Sequence, residues 1–244
     1  MSNIGQGKSI VTPNIGRLIG HQPRGGGSST LLDNLVSWWT LDEASGIRYD
    51  SHGSNNLSAP GTDLGNTTGK VGNCSVHTDT VNCEFRLSGT TFNPGDTDWT
   101  MAFWVRQSSF ATNNAVLAKW DGFNNSFLLG NTGSTATLKF WINGLGASGP
   151  SVSVSSANTW YHIVFYHDSV NNEVGIIVND GTPVTTAWSG GIPSNSTQLQ
   201  VGQYENDRGI NGNIDELGWW SRILTASEIT ELYNSGSGIT YSDM

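Results

Sequence analysis

The stretch NIDELGWW, residues 213–220, followed closely by LTASEITELYNSG, residues 224–236, decides the fold. The first segment carries β-branched and aromatic side chains and reads as a strand. In the second, Thr225 stands where a helix N-cap belongs and Glu228, three residues later, closes the capping box, with Gly236 at the expected stop. A strand running into one short helix near the end of the chain is the only convincing helical signal.

Working outward, the remaining runs have the period of a sheet. In WTMAFWV, Trp99, Met101, Phe103 and Val105 share one parity, while Thr100, Ala102 and Trp104 share the other. LKFWI from Leu138 behaves likewise. WYHIVFYH from Trp160 is largely apolar on both faces, as a central strand would be, and VGIIV from Val174 ends in the turn signal Asn179-Asp180-Gly181. LQVGQY from Leu199 adds another strand. Many short strands, frequent turns and a single late helix make an all-β, two-sheet antiparallel sandwich the economical solution.

Composition agrees and narrows the function. The chain has 244 residues, 13% charged, with 31 glycines and 10 tryptophans, and its length suits one large sandwich. A net charge of −9 with only 11 basic residues argues against a nucleic-acid partner, whose phosphates demand clustered Lys and Arg. The same acidity, rich in Asp, Asn and Gly, suits calcium, which takes carboxylate and carbonyl oxygens, as well as it suits simple solubility. No stretch approaches the roughly 18 apolar residues that cross a bilayer, so membrane insertion is not expected. The start of the sequence lacks a secretory pattern, so synthesis in a cytoplasm is expected.

Residues 1–30 read as an extended N-terminal arm that ends in a Gly/Ser joint, and residues 31–244 as the sandwich domain. The arm holds Lys8, Arg17 and Arg24 and no acid, with small apolar groups that suit docking on a neighbouring subunit as well as they suit a disordered leader. Cys74 and Cys83 flank SVHTDTVN, a segment able to turn back and bring them together, so a disulfide is expected where the compartment is oxidising.

Four blocks in this order resemble the laminin-G-like and pentraxin-like branch of the concanavalin-A-type jelly rolls, over about residues 35–233. They are WWTLDEASGIRYDSHGSNN, DWTMAFWVR, WYHIVFYHDSVNNEVGIIVNDG and LQVGQYENDRGINGNIDELGWWSRILTASEITELYN. The last is the most specific, with Gly212, Ile214, Asp215, Glu216, Arg222, Leu224, Glu228 and Ile229 at the positions of that family's motif. The resemblance implies a jelly-roll sandwich and a structural calcium ion held by Asp50, Gly53 and Asn55 together with Asp215, with Glu43 as a further ligand. The competing reading gives Asp50 a turn to organise and has Asp215 pair with Arg222 or cap a loop.

Catalysis is not expected. A glycosidase of this sandwich type needs paired carboxylates roughly 5 Å apart on one face, and Asp215 and Glu216, adjacent on a strand, are expected to point to opposite faces. Sugar binding is a better match for the tryptophans. Most, including Trp39, Trp99 or Trp104, and Trp160, are expected in the core, with one ring of each Trp-Trp pair facing inward. Trp120 in KWDGFNNS and Trp188 in TTAWSGG are the exceptions, set in turn-like surroundings where they form a platform for a surface glycan or pack under their own loops. The leading expectation is a non-catalytic virion protein, a homo-oligomer or part of a symmetric assembly, anchored through residues 1–30 to a capsid or tail protein. The alternative is a secreted or cell-surface lectin or adhesion domain.

Overall fold

The computed structural model describes residues 29–79, 82–110, 114–123, 125–133, 136–204 and 208–244. The arm's expected anchoring role therefore lies almost wholly outside the described residues. In chain order the strands are β1 (Leu35–Trp39), β2 (Asn66–Thr68), β3 (Asn73–His77), β4 (Phe85–Leu87), β5 (Trp99–Ser109), β6 (Ala115–Lys119), β7 (Phe127–Asn131) and β8 (Thr137–Ile142). They continue as β9 (Ser151–Ser153), β10 (Trp160–Asp168), β11 (Glu173–Val178), β12 (Val184–Ala187), β13 (Leu199–Val201), β14 (Gln203–Tyr204), β15 (Arg208–Gly209) and β16 (Asn211–Trp220). One helix, α1 (Ala226–Tyr233), follows β16.

These strands form two sheets, one ordered β12-β11-β10-β5-β16-β3-β2 with β1 also on β16, the other β14-β15-β6-β7-β8-β9 with β13 attached to β6 and β4 to β13. Pairing is antiparallel except for a single parallel contact, Gly209 with Ala115. The alternation read in WTMAFWV is realised, since Trp99, Met101, Phe103 and Val105 all point into the main core. There they meet Leu117, Phe127, Leu129 and Phe140 from the facing sheet. Edge-to-face rings hold the middle, with Trp99 and Phe165 centroids 5.4 Å apart and Phe92 and Trp219 4.9 Å apart.

The tryptophan pairs split as the alternation requires: Trp39 and Trp219 face the core between the sheets, while Trp38 and Trp220 face outward. Outside the first sheet these two rings join Leu31, Tyr166 and Ile177 beneath Leu224, Ile229 and Leu232, the apolar stripe of the α1 region. LQVGQY is divided into β13 and β14 at Gly202, whose φ of +91° and position 2.0 Å from the His77 ring for any added Cβ admit only glycine. The helix stops two residues before Gly236, at Asn234, which takes the left-handed conformation with φ of 47°.

Two expectations need correction here. Cys74 and Cys83 are separate buried thiols. Cys74 Sγ contacts the Thr68 carbonyl at 3.6 Å and Cys83 Sγ accepts from the Thr78 amide at 3.4 Å, so each sulfur already has its own backbone partner. Burial, with Asp215 nearby, pushes the Cys74 thiol up to about 12, which keeps it protonated and unreactive. Arg222 pairs with Glu228 and not with Asp215, through two contacts of 2.7 Å.

That pair closes the domain. Glu228 also accepts from the Thr225 amide at 2.8 Å, completing the capping box, and from Thr30 Oγ1 at 2.5 Å. Arg222 donates in turn to the carbonyls of Asp33 and Thr30, so one partly buried ion pair ties the first described residues to the helix. Glu228→Ala leaves the guanidinium without its partner and is expected to lower stability by about 3 kcal/mol, read from urea unfolding. Loss of less than about 1 kcal/mol would show that the closure is held by the apolar contacts alone.

Candidate functional site

Asp50 and Asp215, two of the four residues expected to share calcium, each accept backbone amides. Asp50 Oδ1 accepts the amides of Trp38, His52 and Gly53 at 2.9–3.0 Å, and Oδ2 accepts that of Asn55 at 3.0 Å. Burial alone would raise its pKa, but these N–H groups hold it below the usual carboxylate range. Asp50 thus organises its own turn, as the competing reading has it. Asp215 has other partners, the amides of Lys70 and Val71 at 2.7 and 2.9 Å. No group of three or more His, Cys, Asp or Glu gathers around a metal position among the described residues.

Asp215 and Glu216 depart from expectation in a second way. The register of β16 against β5 shifts between Asp215 and Gly218, and Glu216 takes φ of 49°. This bulge turns both carboxylates toward the outer, helix-bearing side. Asp215 pairs with Trp104, whose ring stacks on Tyr233 of α1, and Glu216 accepts from Trp38 Nε1 at 2.5 Å. Asp42 lies close by, accepting the Asn73 amide at 2.6 Å, so Asp42 and Asp215 together hold the turn at residues 69–73.

Both carboxyls are enclosed, Asp215 at 0% and Glu216 at 4% exposure, which leaves a substrate no access to them. Burial pushes Asp215 up to about 7, with Asp42 adding to the rise against the Val71 and Lys70 amides. Burial and then the charge of Asp215 push Glu216 up to about 9, against the Trp38 hydrogen bond. The unfolded chain ionises both near their ordinary values, so between pH 6.5 and 8 it binds fewer protons than the folded one. Stability therefore falls as pH rises.

For one proton held by the pair the slope is about 1.4 kcal/mol per pH unit. Thermal unfolding across pH 6.5–8 is expected to show the decline in the parent protein and a flatter curve in Glu216→Gln. A melting temperature that rises over that window, or an unchanged slope in the variant, contradicts this account.

The aromatic expectation is half met. Trp188 packs under its own loop, its Nε1 donating to the Gly191 carbonyl at 2.7 Å and its ring lying on Gly144 and Gly190 at the edge of the main core. Trp120 belongs elsewhere, to the outer face of the second sheet. There Ala115, Ala118, Leu128 and Tyr204 form a small cluster on which Trp120 and Trp141 pack, both partly exposed.

Strand register explains this grouping. Ala118 on β6 opposes Leu128 on β7, which opposes Trp141 on β8, so the three stand in a row. Trp120 follows Ala118 by two positions and takes the same face. With strands about 4.8 Å apart, the row spans roughly 10 Å from β6 to β8. Lys139 Nζ lies 5.8 Å from the Trp141 ring, and the Arg208 guanidinium 5.5 Å from that of Tyr204. In the loop after Trp120, Phe123 is 94% exposed, with its amide held by Asp121 at 2.9 Å.

Two rings with an apolar floor between them and cations at the margin suit the flat faces and polar edges of a saccharide. Sequence reasoning missed Trp141, although its signal was present. Leu138, Phe140 and Ile142 share the inward parity of β8, which sends Lys139 and Trp141 outward.

Residues 79–230 match the model of the concanavalin A-like lectin/glucanases superfamily. No curated protein matches the chain by sequence at a significant level. Among solved structures, the binding domain of Paraclostridial Mosquitocidal Protein 1 is similar at TM-score 0.66 and 18% identity, covering 84% of this chain and 53% of that one. Domain 4 of AbnA, a GH43 extracellular arabinanase from Geobacillus stearothermophilus, in complex with arabinotriose, gives 0.60 and 20%, covering 81% and 97%. Trypanosoma rangeli sialidase in complex with sialic acid gives 0.66 and 11%, covering 88% of this chain and 35% of the sialidase. The chain thus spans about half the length of the first and about a third of the last. At these identities the likeness is one of fold. With the family's model matched over more than half of its length, the chain belongs to the concanavalin A-like lectin/glucanases superfamily.

Proposed function

We propose that the protein is a non-catalytic carbohydrate-binding module that holds a glycan against Trp120 and Trp141 on the outer face of its second sheet. The observation that carries this reading is the row formed by Trp141, Leu128 and Ala118, with Trp120 beside it. The arabinotriose bound to the arabinanase domain is a precedent for sugar binding on this fold and supports the reading by analogy. The enclosed state of Asp215 and Glu216 supports a binding role over glycan cleavage.

Arabinotriose and a panel of neutral oligosaccharides, titrated calorimetrically, are the first probes. Trp120→Ala and Trp141→Ala, at partly exposed rings, are expected to leave the melting temperature within a few degrees and to weaken binding at least tenfold, about 1.4 kcal/mol. Binding unchanged in both variants, or no binding of any neutral glycan by the parent protein, would overturn the proposal.

The same proposal assigns residues 1–30 as the anchor of a displayed module on a capsid or tail protein of a virion, in a homo-oligomer or symmetric array. Its support is the basic, acid-free composition of the arm and its Gly/Ser joint to a self-contained sandwich. Deleting residues 1–28 is expected to abolish co-sedimentation with particles while preserving glycan binding. Association that survives the deletion would favour the alternative, a secreted or cell-surface lectin.

A further inference from the structure

The opposite side of the sandwich carries a polar notch of about 170 Å³, lined by Thr78, Arg106, Ser108, Asn158, Asn211 and Asn213 among others. It lies on the outer face of the first sheet at the end of β5. Arg106 stands two positions beyond Trp104, and Asn213 pairs directly across from it on β16. The Arg106 guanidinium is held in two ways. Its Nε and Nη2 both donate to Asn213 Oδ1, at 3.1 and 2.8 Å, and its plane lies 5.3 Å from the partly exposed ring of Trp160.

This arrangement leaves an oriented positive charge without a counter-charge. A guanidinium has five N–H donors, and the bonds to Asn213 use two, leaving both on Nη1 and one on Nη2. Among the described residues no carboxylate stands within ion-pair distance of Arg106, although acids outnumber bases 20 to 11 in the chain. Elsewhere in the same structure Arg48, Arg86 and Arg222 each meet an Asp or Glu. The amide side chains of Asn158 and Asn211 border the notch, and Ser108 Oγ donates to the Asn211 carbonyl at 2.9 Å. The backbone of Asn158 is pinned by its amide bond to Gln107 at 2.7 Å.

We infer that this notch is a second binding site, separate from the Trp120 and Trp141 face, which takes one acidic sugar ring and reads its carboxylate through Arg106. The free N–H pair on Nη1 and Nη2 matches the two oxygens of a carboxylate in an end-on fork. Asn158 and Asn211 supply donors and acceptors for ring hydroxyls, and Trp160 offers an apolar edge beside the guanidinium. Packing on Trp160 and bonding to Asn213 hold the fork in place before a ligand arrives, so little conformational freedom is lost on binding. The inference stands independently of the function proposed above, since the two surfaces lie on opposite sheets.

The test compares methyl glucuronoside with its methyl ester, titrated calorimetrically into the full chain. The parent protein is expected to prefer the acid by about tenfold or more, a preference that added salt weakens. Arg106→Gln is expected to remove the preference, and Arg106→Lys to keep only part of it. Asn211→Ala, which leaves the packing of Arg106 on Trp160 and Asn213 intact, is expected to weaken both ligands and guards against a folding effect in the arginine variants.

Equal affinity for acid and ester in the parent protein overturns the inference, as does a preference that survives Arg106→Gln. Full competition by acetate would show a bare carboxylate site without sugar recognition and overturns it too. The Trp120→Ala and Trp141→Ala proteins are expected to retain the acid preference. Its loss there, with retention in Arg106→Gln, would place acid recognition on the other face and refute the notch while leaving the neutral-glycan module standing.

Discussion

Strand β16 is the constraint on which the rest of the molecule depends. It pairs with β5 along one edge, and along the other with β3 through Gly212–Ile214 and then with β1 through Leu217–Trp220. The partner changes at Asp215 and Glu216, and there the strand bulges. A residue at such a change of partner lacks a continuous ladder on that edge, so its polar groups must find other bonds. Asp215 does so by accepting the amides of the turn at residues 69–73, and Glu216 by taking the indole N–H of Trp38. Both carboxyls lie enclosed beside the helix as a result, and their ionisation opposes folding.

Alternation along the three central strands then divides the chain's apolar content. Inward positions of β5, β10 and β16 meet the second sheet, and outward ones meet the helix, Leu31 and the C-terminal residues. The interior between the sheets is thereby packed with apolar side chains among the described residues. The two proposed binding surfaces lie on the outer faces, at the row of rings on the second sheet and at the end of β5 beyond the helix. These two regions differ in chemistry for a simple reason. The first is bounded by short strands with outward apolar residues, while the second lies where β5 and β16 leave the shelter of α1 and their outward positions turn polar, at Arg106 and Asn213.

The sheet architecture was legible because the period of two runs from Trp99 to Val105 of β5 and because Thr225 and Glu228 can only cap a helix in that order. The pairwise split of Trp38 from Trp39 and of Trp219 from Trp220 follows from the same period. What failed was anything that depends on a local break in it. Asp215 and Glu216 were assigned to opposite faces by a rule that a bulge suspends, and the left-handed Glu216 that produces the bulge has no signature such as glycine. Trp160 was placed in the core by its position in the family resemblance, whereas it stands partly exposed beside Arg106. Trp120 was recognised from its turn-like surroundings, but its companion Trp141 lies 21 positions away and is brought near only by register through β7. Asp50 was legible as a special residue, with the turn that it organises as one of its two readings. A carboxylate that folds a turn on backbone amides and one that holds an ion present the same letters.

The geometry of the aromatic face also constrains how it can work. Trp120 and Trp141 lie on the surface of a sheet, not at the bottom of a cleft, so a glycan laid across them keeps one side in water and loses little of its surface. Such contacts give modest affinity per site, because the ordering of a flexible ligand offsets much of what two rings supply. Avidity is the physical remedy. If copies of the sandwich are held in an array by residues 1–30, as proposed, a second engagement on the same polymer occurs at the high local concentration set by the tether, and the combined binding exceeds either contact by orders of magnitude. A Gly/Ser joint is suited to that arrangement, since its freedom lets neighbouring sandwiches find sites whose spacing the assembly does not dictate. On the proposed function, weak, open sites and a basic tethering arm are complementary, each of limited use without the other.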